Sequence, residues 1–145
     1  MVGPMTVRLS GALVEDIRRE GASAYPAECC GVLAGRVGES KEVVRIVPVV
    51  NRRTDDLRRY LISPDDLLRI TLELRRSALE VLGYYHSHPD HPAEPSEFDS
   101  QNAWPWYSYI IVRVDHGRAS ELTSWVLEDD CSAMHQESLE VLSEV

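Results

Sequence analysis

The alternation of apolar and polar residues divides the chain into short strands interleaved with helices. Apolar positions recurring every three to four residues predict a helix from Ser10 to about Ser23, and a second one starting at Ser63–Pro64. Nearly continuous or alternating apolar runs predict strands in between. These runs cover residues 6–9, 29–37, 43–50, 80–88, 107–114 and 122–127.

Weaker signals fill the remaining segments. Residues 51–60 are polar and predict a loop, followed by a short strand at 59–62. A proline-rich turn at 89–95 leads into a short helix at 96–103, residues 115–117 form a turn, and the tail at 136–145 fits helix or strand equally well. Because several strands are joined by short turns, we expect an α/β (α+β) fold with a mixed, largely antiparallel central sheet flanked by helices.

Length and composition narrow the class of protein. The 145 residues fit one domain spanning 1–145, and the hydrophobic fraction of 43% is that of an ordinary globular protein. No apolar run approaches the roughly 20 residues of a membrane helix, and the N-terminus lacks the features of a signal peptide. We therefore expect a cytoplasmic protein without a membrane partner. The net charge of −9 argues against nucleic acid as a partner.

The cysteines do not indicate a disulfide framework or a cysteine zinc site. The chain has three of them, Cys29, Cys30 and Cys131, and no C-x-x-C spacing. Neighbouring residues on a strand point to opposite faces, so Cys29 and Cys30 cannot easily share one metal ion. We expect the cysteines to be buried and to pack as small apolar residues.

The segment that suggests chemistry begins at the end of the strand at 80–88. His86 and His88 are two residues apart and therefore project from the same face of a strand, and Pro89 ends that strand. Asp99 follows near the start of the next helix, from where its carboxylate could turn back towards the histidines. Two histidines, one acid and a water molecule make an open catalytic zinc site.

Each part of this segment also has an ordinary structural explanation. An isolated His-x-His is most often a pair of polar residues at a strand end, and Ser96 followed by Asp99 is typical of a helix N-cap. His91 lies in the proline-rich turn, where a solvated side chain is the simpler expectation. His116 in a turn and His135 in the tail are expected at the surface.

Taken together, the pattern His-x-His-Pro, six residues, Ser, two residues, Asp resembles the motif of the JAMM (MPN+) metallopeptidases. The fixed positions are His86, His88, Pro89, Ser96 and Asp99. The upstream segment 26–31, Pro-Ala-Glu-Cys-Cys-Gly, is similar to the one in which the family carries a glutamate, and segments 109–112 and 122–125 resemble its late strands. The resemblance implies a JAB/MPN domain, a cytidine-deaminase-like fold.

The resemblance also implies roles for individual residues. His86, His88 and Asp99 would hold one Zn²⁺ per chain, Glu28 would move protons between the attacking water and the leaving amine, and Ser96 would hydrogen-bond the oxyanion. Without the motif, Glu28 would be taken for a surface residue in a loop.

The chain resembles the compact prokaryotic branch of the family, because it leaves little room for insertions that grip ubiquitin. That branch processes small ubiquitin-like (β-grasp) sulfur-carrier proteins, and the resemblance implies a zinc peptidase or isopeptidase that cuts after their C-terminal Gly-Gly. Three alternatives remain: a metal-free MPN− scaffold, a phage-tail-type peptidase acting on cell-wall or other short peptides, and a JAMM-like protein of DNA repair.

Overall fold

The computed structural model describes residues 5–53, 55, 56 and 59–143. In this part of the chain there are three helices, namely α1 (Gly11–Ala24), α2 (Pro64–Arg76) and α3 (Glu97–Gln101). The strands are β1 (Val7–Ser10), β2 (Cys30–Val37), β3 (Lys41–Val49), β4 (Glu80–Pro89), β5 (Ser108–Asp115), β6 (Arg118–Leu127), β7 (Met134–Glu137) and β8 (Leu139–Leu142). None of the described helices is long and apolar enough to cross a membrane.

All of these strands belong to one mixed sheet in the order β7-β6-β5-β4-β2-β3-β1-β8. Within the described ranges, β2–β3, β2–β4, β5–β6 and β6–β7 pair antiparallel, whereas β1–β3, β1–β8 and β4–β5 pair parallel. The expected mixed, largely antiparallel sheet flanked by helices is therefore confirmed. Strand β4, which carries both candidate histidines, lies between β2 and β5 near the middle of the sheet.

The two longer helices cover opposite faces of the sheet. Helix α1 buries Val14 and Ile17 in a core that also contains Leu33 and Tyr85. Helix α2 buries Ile70 and Leu74 against the other face, where their partners include Val32, Ala34 and the partly buried Tyr84. Because side chains alternate along a strand, Tyr84, His86 and His88 all project towards the α2 face.

One glycine allows the close approach of β2 and β4 on the α1 face. Gly31 pairs with Tyr85, and a Cβ atom on Gly31 would lie 2.2 Å from Cζ of the Tyr85 ring. The Tyr85 hydroxyl reaches across to donate a hydrogen bond to the carboxylate of Glu20 on α1, at 2.8 Å. The missing side chain of Gly31 therefore makes room for the residue that precedes His86.

The sheet curls until its two edges meet near Ser138. Strands β7 and β8 are consecutive in the chain, yet they lie at opposite ends of the strand order. The carbonyl oxygen of Ser138 accepts a hydrogen bond from the backbone N–H of Val7 at 2.9 Å. The tail that fitted helix or strand is thus strand from Met134 to Leu142, apart from Ser138, while residues 144 and 145 lie outside the described residues.

The prediction of a short strand at 59–62 is wrong. Leu61 does accept a backbone hydrogen bond from Arg52, but the side chain of Asn51 takes the place of a partner strand. Its Oδ1 accepts hydrogen bonds from the N–H groups of Arg53 and Leu61, and its Nδ2 donates one to the carbonyl of Arg59. These residues therefore form an extended loop, of which positions 54, 57 and 58 lie outside the described residues. Strand β6 also begins earlier than expected, directly after the turn at 115–117.

Candidate active site

The two histidines of β4 lie side by side in the interior of the protein. Both are 1% exposed, because the sheet, the loop before α2 and the turn after β4 enclose them. The Nδ1 atom of His88 lies 2.8 Å from the carbonyl oxygen of Pro92 and therefore donates a hydrogen bond to it. This bond leaves Nε2 of His88 without a hydrogen, as a metal ligand requires.

Helix α3 orients Asp99 through a reciprocal cap. The Ser96 hydroxyl oxygen accepts a hydrogen bond from the Asp99 N–H at 3.0 Å, and Asp99 Oδ2 accepts one from the Ser96 N–H at 2.9 Å. The ordinary N-cap explanation of this pair is therefore correct. It is also compatible with the chemical one, because the cap turns the Asp99 carboxylate towards β4.

Three ligand atoms converge on one point. Nε2 of His86 lies 3.1 Å from Nε2 of His88, and Oδ2 of Asp99 lies 3.2 and 3.0 Å from these two nitrogens. Ligands about 2.0–2.1 Å from a tetrahedral zinc ion lie roughly 3.3 Å apart. The residues therefore fit a zinc ion, with little movement needed to receive it.

The charges at this point are also suited to a cation. Burial alone would raise the pKa of Asp99, but His86, His88 and the Ser96 N–H outweigh it and hold the pKa well below its usual range. Burial lowers the pKa of His86, although Asp99 opposes the shift. An ionised carboxylate beside a neutral imidazole is the protonation state in which both groups bind a metal.

Glu28 lies beside this trio, two residues before the start of β2 at Cys30. It is 3% exposed, and its Oε1 atom has no hydrogen-bond partner among the described residues. Burial, with smaller contributions from Asp99 and Asp56, raises its pKa to about 9. A ligand atom of Glu28 lies within 4.8 Å of one on His88. Glu28 is therefore not the surface residue that the sequence without the motif would suggest.

The loop before α2 contributes a residue that the sequence did not identify. The ring of Tyr60 stacks on His86, with centroids 4.6 Å apart and planes 22° from parallel. The local sequence contains only an indirect signal, an aromatic residue among arginines. Asn51 ties the loop on both sides of Tyr60 to the carbonyl of Glu28, through its bonds to Arg59 and Leu61.

A groove leads away from Asp99 along the α2 face. It encloses about 230 Å³ and its walls are mainly aromatic and aliphatic. The guanidinium of Arg59 lies 4.5 Å from the centre of the Phe98 ring, one of the lining residues, and forms an ion pair with Asp56. The lining residues are Tyr60, Leu61, Ile62, Leu67, Tyr84, Phe98, Asp99, Asn102, Trp104 and Tyr109.

The cysteines and the remaining histidines lie as follows. Cys29 and Cys30 are buried as expected, and burial raises the pKa of each thiol to about 12, so neither is a thiolate at neutral pH. The expectation is wrong for Cys131, which is exposed after β6. His116 lies in the exposed turn between β5 and β6, and His135 is exposed on β7. His91 differs from the solvated residue expected, because its ring is half-buried and stacked on His88.

Comparison with known proteins shows the family of this chain. A family model described as prokaryotic homologs of the JAB domain matches residues 10–128. The chain belongs to this family. It is 36% identical over 99 residues to a desampylase of Haloferax volcanii, a match that covers 67% of this chain and 70% of that protein.

Two further similarities extend this JAB-family assignment. The chain is 37% identical over 107 residues to a Thermus thermophilus protein named a probable TtuB-protein conjugate cleaving protease, covering 74% of this chain and 70% of that protein. The fold is similar to a solution structure of a Desulfitobacterium hafniense protein, with a TM-score of 0.83 and 27% identity over 96% of this chain and 94% of that one. The JAB/MPN fold expected from the motif is thus confirmed.

Proposed function

We propose that this JAB-family chain is a zinc-dependent isopeptidase that cuts after the C-terminal Gly-Gly of a small ubiquitin-like sulfur-carrier protein. The observation that carries the proposal is the convergence of His86, His88 and Asp99 within 3.0–3.2 Å of one another, beside the buried Glu28. The names of the Haloferax and Thermus relatives support a protein conjugate as the substrate.

The metal would be held by Nε2 of His86, Nε2 of His88 and Oδ2 of Asp99. When bound, zinc supplies a Lewis acid that polarises the scissile carbonyl and makes a water molecule acidic enough to attack it near neutral pH. The chain keeps these ligands in place with the Ser96 cap on Asp99 and the Pro92 carbonyl on His88. A metal-free scaffold would have no need of this complete set of ligands and supports.

Glu28 would transfer the protons of the reaction. Its unpartnered Oε1 can accept a proton from the attacking water, and the resulting carboxylic acid can donate it to the leaving amine. Burial raises the pKa of Glu28 to about 9, which favours the protonated form in this pocket, while a nearby divalent cation would favour the carboxylate. Both forms that the reaction requires are therefore accessible.

Ser96 would stabilise the negative charge that develops on the carbonyl oxygen. Its hydroxyl oxygen accepts a hydrogen bond from the Asp99 N–H, so the hydroxyl position is defined while its own hydrogen can still be donated. Donors of this kind contribute about 10²–10³-fold to the rate. The pre-set position of the hydroxyl matters because no reorganisation is then needed during the reaction.

The groove beside Asp99 suits an extended tail without side chains. Its aromatic walls enclose only about 230 Å³, which leaves little space for branched residues near the metal. Glycines can pass close to such walls, and their backbone amides can pair with nearby backbone groups. This narrowness supports a Gly-Gly terminus as the segment that lies next to the scissile bond.

The chemistry can be tested with two variants that separate metal binding from proton transfer. We expect His88→Ala to lose most of its zinc, whereas Glu28→Gln keeps one zinc per chain and loses about 10²–10⁴-fold in turnover. Elemental analysis and activity on a confirmed substrate give both values. Full zinc in the His86→Ala/His88→Ala variant, or normal turnover in Glu28→Gln, would contradict the assignment.

The substrate class is tested on carrier proteins extended beyond Gly-Gly. The protein should release the extension, as seen by mass spectrometry, and a chelator should stop it. Replacing the final glycine of the carrier with valine should also stop cleavage, because a branched side chain would clash with the groove. Efficient cutting of cell-wall or unrelated short peptides, with every carrier left intact, would favour the short-peptide alternative instead.

A further inference from the structure

A second set of possible metal ligands lies next to the first. Ligand atoms of Glu28, His88 and His91 all lie within 4.8 Å of one another. Glu28 and His88 are buried and His91 is half-buried, so these groups line the same enclosed space. The group shares His88 with the trio formed with His86 and Asp99, and it adds a histidine that the proposed reaction does not use.

His88 cannot serve two ions. Its Nδ1 donates to the Pro92 carbonyl, so only Nε2 remains, and Nε2 lies among the ligand atoms of the first trio. The rings of His88 and His91 stack with centroids 4.3 Å apart and planes 15° from parallel. The in-plane lone pairs of two nearly parallel rings run side by side and do not meet at one ion. This arrangement suits two neighbouring ions better than one shared ion.

The Glu28 carboxylate, which accepts a proton in the proposed reaction, could bind a cation instead. Its Oε1 is fully enclosed and has no hydrogen-bond partner among the described residues. The residue as a whole is only 3% exposed. Leaving such an oxygen without a donor is costly, and a cation would remove that cost. Carboxylate oxygen and imidazole nitrogen are both ordinary zinc ligands.

We propose that Glu28 and His91 form a second, weaker zinc position beside the catalytic one, and that filling it inhibits the enzyme. It is weaker because only two protein ligands, rather than three, hold the ion. It is inhibitory because the Glu28 oxygen that accepts the proton becomes a metal ligand. The centroids of the stacked His88 and His91 rings lie 4.3 Å apart, close to the roughly 3.5–4 Å that separates paired metal ions in enzymes. This inference rests on the proposed catalytic site.

Equilibrium dialysis of the full chain against rising free zinc tests the proposal. The wild-type protein should bind one zinc per chain at low free zinc and two at high free zinc, and turnover should fall as the second ion binds. His91→Phe keeps an aromatic ring on His88 but removes the nitrogens. It should bind only one zinc per chain. Its inhibition should need at least about 10-fold more zinc, because the second ion has lost one of its two protein ligands; this factor corresponds to about 1.4 kcal/mol of binding free energy.

A matched control distinguishes this position from nonspecific zinc binding at the surface. His135 is exposed and paired with Glu128, so it offers another histidine and carboxylate that could collect zinc. His135→Phe should keep the second ion and the wild-type inhibition. If His91→Phe does not fold, His91→Gln removes the imidazole with less change in polarity and is measured in the same way.

The results separate this proposal from the one on which it rests. A second zinc that survives in the folded His91 variant, or a wild-type chain that never exceeds one zinc while excess zinc inhibits it, overturns the second position alone. A wild-type chain that binds no zinc at low concentration overturns the catalytic site as well. Two zinc ions in the wild type, one in the His91 variant and two in the His135 variant support the proposal.

Discussion

The side-chain amide of Asn51 donates a hydrogen bond to the main-chain carbonyl oxygen of Glu28, with Nδ2 and O 3.1 Å apart. The same side chain bonds the backbone of Arg53, Arg59 and Leu61. One residue thus holds the candidate proton carrier and the loop that covers His86. Asn51 touches neither the reacting atoms nor the metal ligands in these contacts, so it acts as a positioning residue.

We expect Asn51→Ala to lower turnover while zinc stays bound. The variant removes the four hydrogen bonds that Asn51 makes to described residues, and unpaired backbone groups in a partly buried loop cost about 1–3 kcal/mol each when they cannot reach water. A displaced Glu28 should reduce kcat about 10–100-fold, in keeping with the sensitivity of catalysis to small shifts in position. Steady-state kinetics and elemental analysis give the two values, and the exposed Gln101→Ala serves as the control. Loss of zinc together with activity would show that the loop supports the metal ligands instead.

The parts of the site that the sequence predicts are the local ones. His86 and His88 share a face because strand periodicity requires it, and Ser96 and Asp99 meet because an N-cap and its third helical residue always do. Such relations need only a few consecutive residues. They can be predicted from any sequence in which the strand and helix boundaries are predicted to within one or two residues.

Contacts across long stretches of chain could not be read in this way. Tyr60 reaches His86, and Asn51 reaches Glu28, only after the loop folds over the sheet. A side-chain amide that replaces a strand partner looks like an ordinary loop residue in the sequence, which is why the strand at 59–62 was predicted wrongly. The pairing of β8 with β1 is equally remote, since more than a hundred residues separate them.

The buried Glu28 should make the metal-free protein lose stability as the pH rises. Its pKa rises from the usual 4.5 to about 9 on folding, chiefly because of burial. Between these values the unfolded chain has released the proton and the folded chain keeps it. Glu28 therefore contributes fully to the free energy of unfolding below about pH 4.5. This contribution falls between about pH 4.5 and about pH 9, by at most about 1.4 kcal/mol per pH unit.

Denaturant unfolding of the chelator-treated protein at several pH values tests this expectation. Glu28→Gln should show a flatter dependence of the free energy of unfolding on pH, because it removes the titrating group. The exposed Glu39→Gln is the matched control and should follow the wild type. Identical slopes in the wild type and in Glu28→Gln would mean that Glu28 does not hold its proton in the folded chain.

A pair of glycine substitutions tests the packing that supports β4. In Gly31→Ala the new methyl group would lie 2.2 Å from Cζ of Tyr85, whereas at Gly38 no heavy atom lies within 4 Å. Overpacking typically costs about 1–3 kcal/mol, so Gly31→Ala should lower the free energy of unfolding by at least that much. Gly38→Ala should change it by less than about 1 kcal/mol. Equal stability of the two variants would mean that Tyr85 can move aside freely.

The stacking of Tyr60 on His86 should contribute to zinc affinity through the orientation of the imidazole. With ring centroids 4.6 Å apart and planes within 22° of parallel, the contact restricts rotation of a ligand that must present Nε2 to the ion. Burial raises the pKa of the Tyr60 hydroxyl well above its usual value, so the phenol stays neutral and is no competing ligand at working pH. The ring, and not the hydroxyl, is therefore the part that matters.

Tyr60→Phe and Tyr60→Ala separate these two parts. The phenylalanine variant keeps the ring and should bind zinc within about twofold of the wild type. The alanine variant loses a stacking contact of about 0.5–1.5 kcal/mol, which corresponds to roughly 2–12-fold weaker binding. Competition with a chromophoric chelator measures both affinities, and the exposed Leu72→Ala on α2 controls for general loosening. If Tyr60→Phe loses as much affinity as Tyr60→Ala, the hydroxyl takes part in the site and the stacking argument fails.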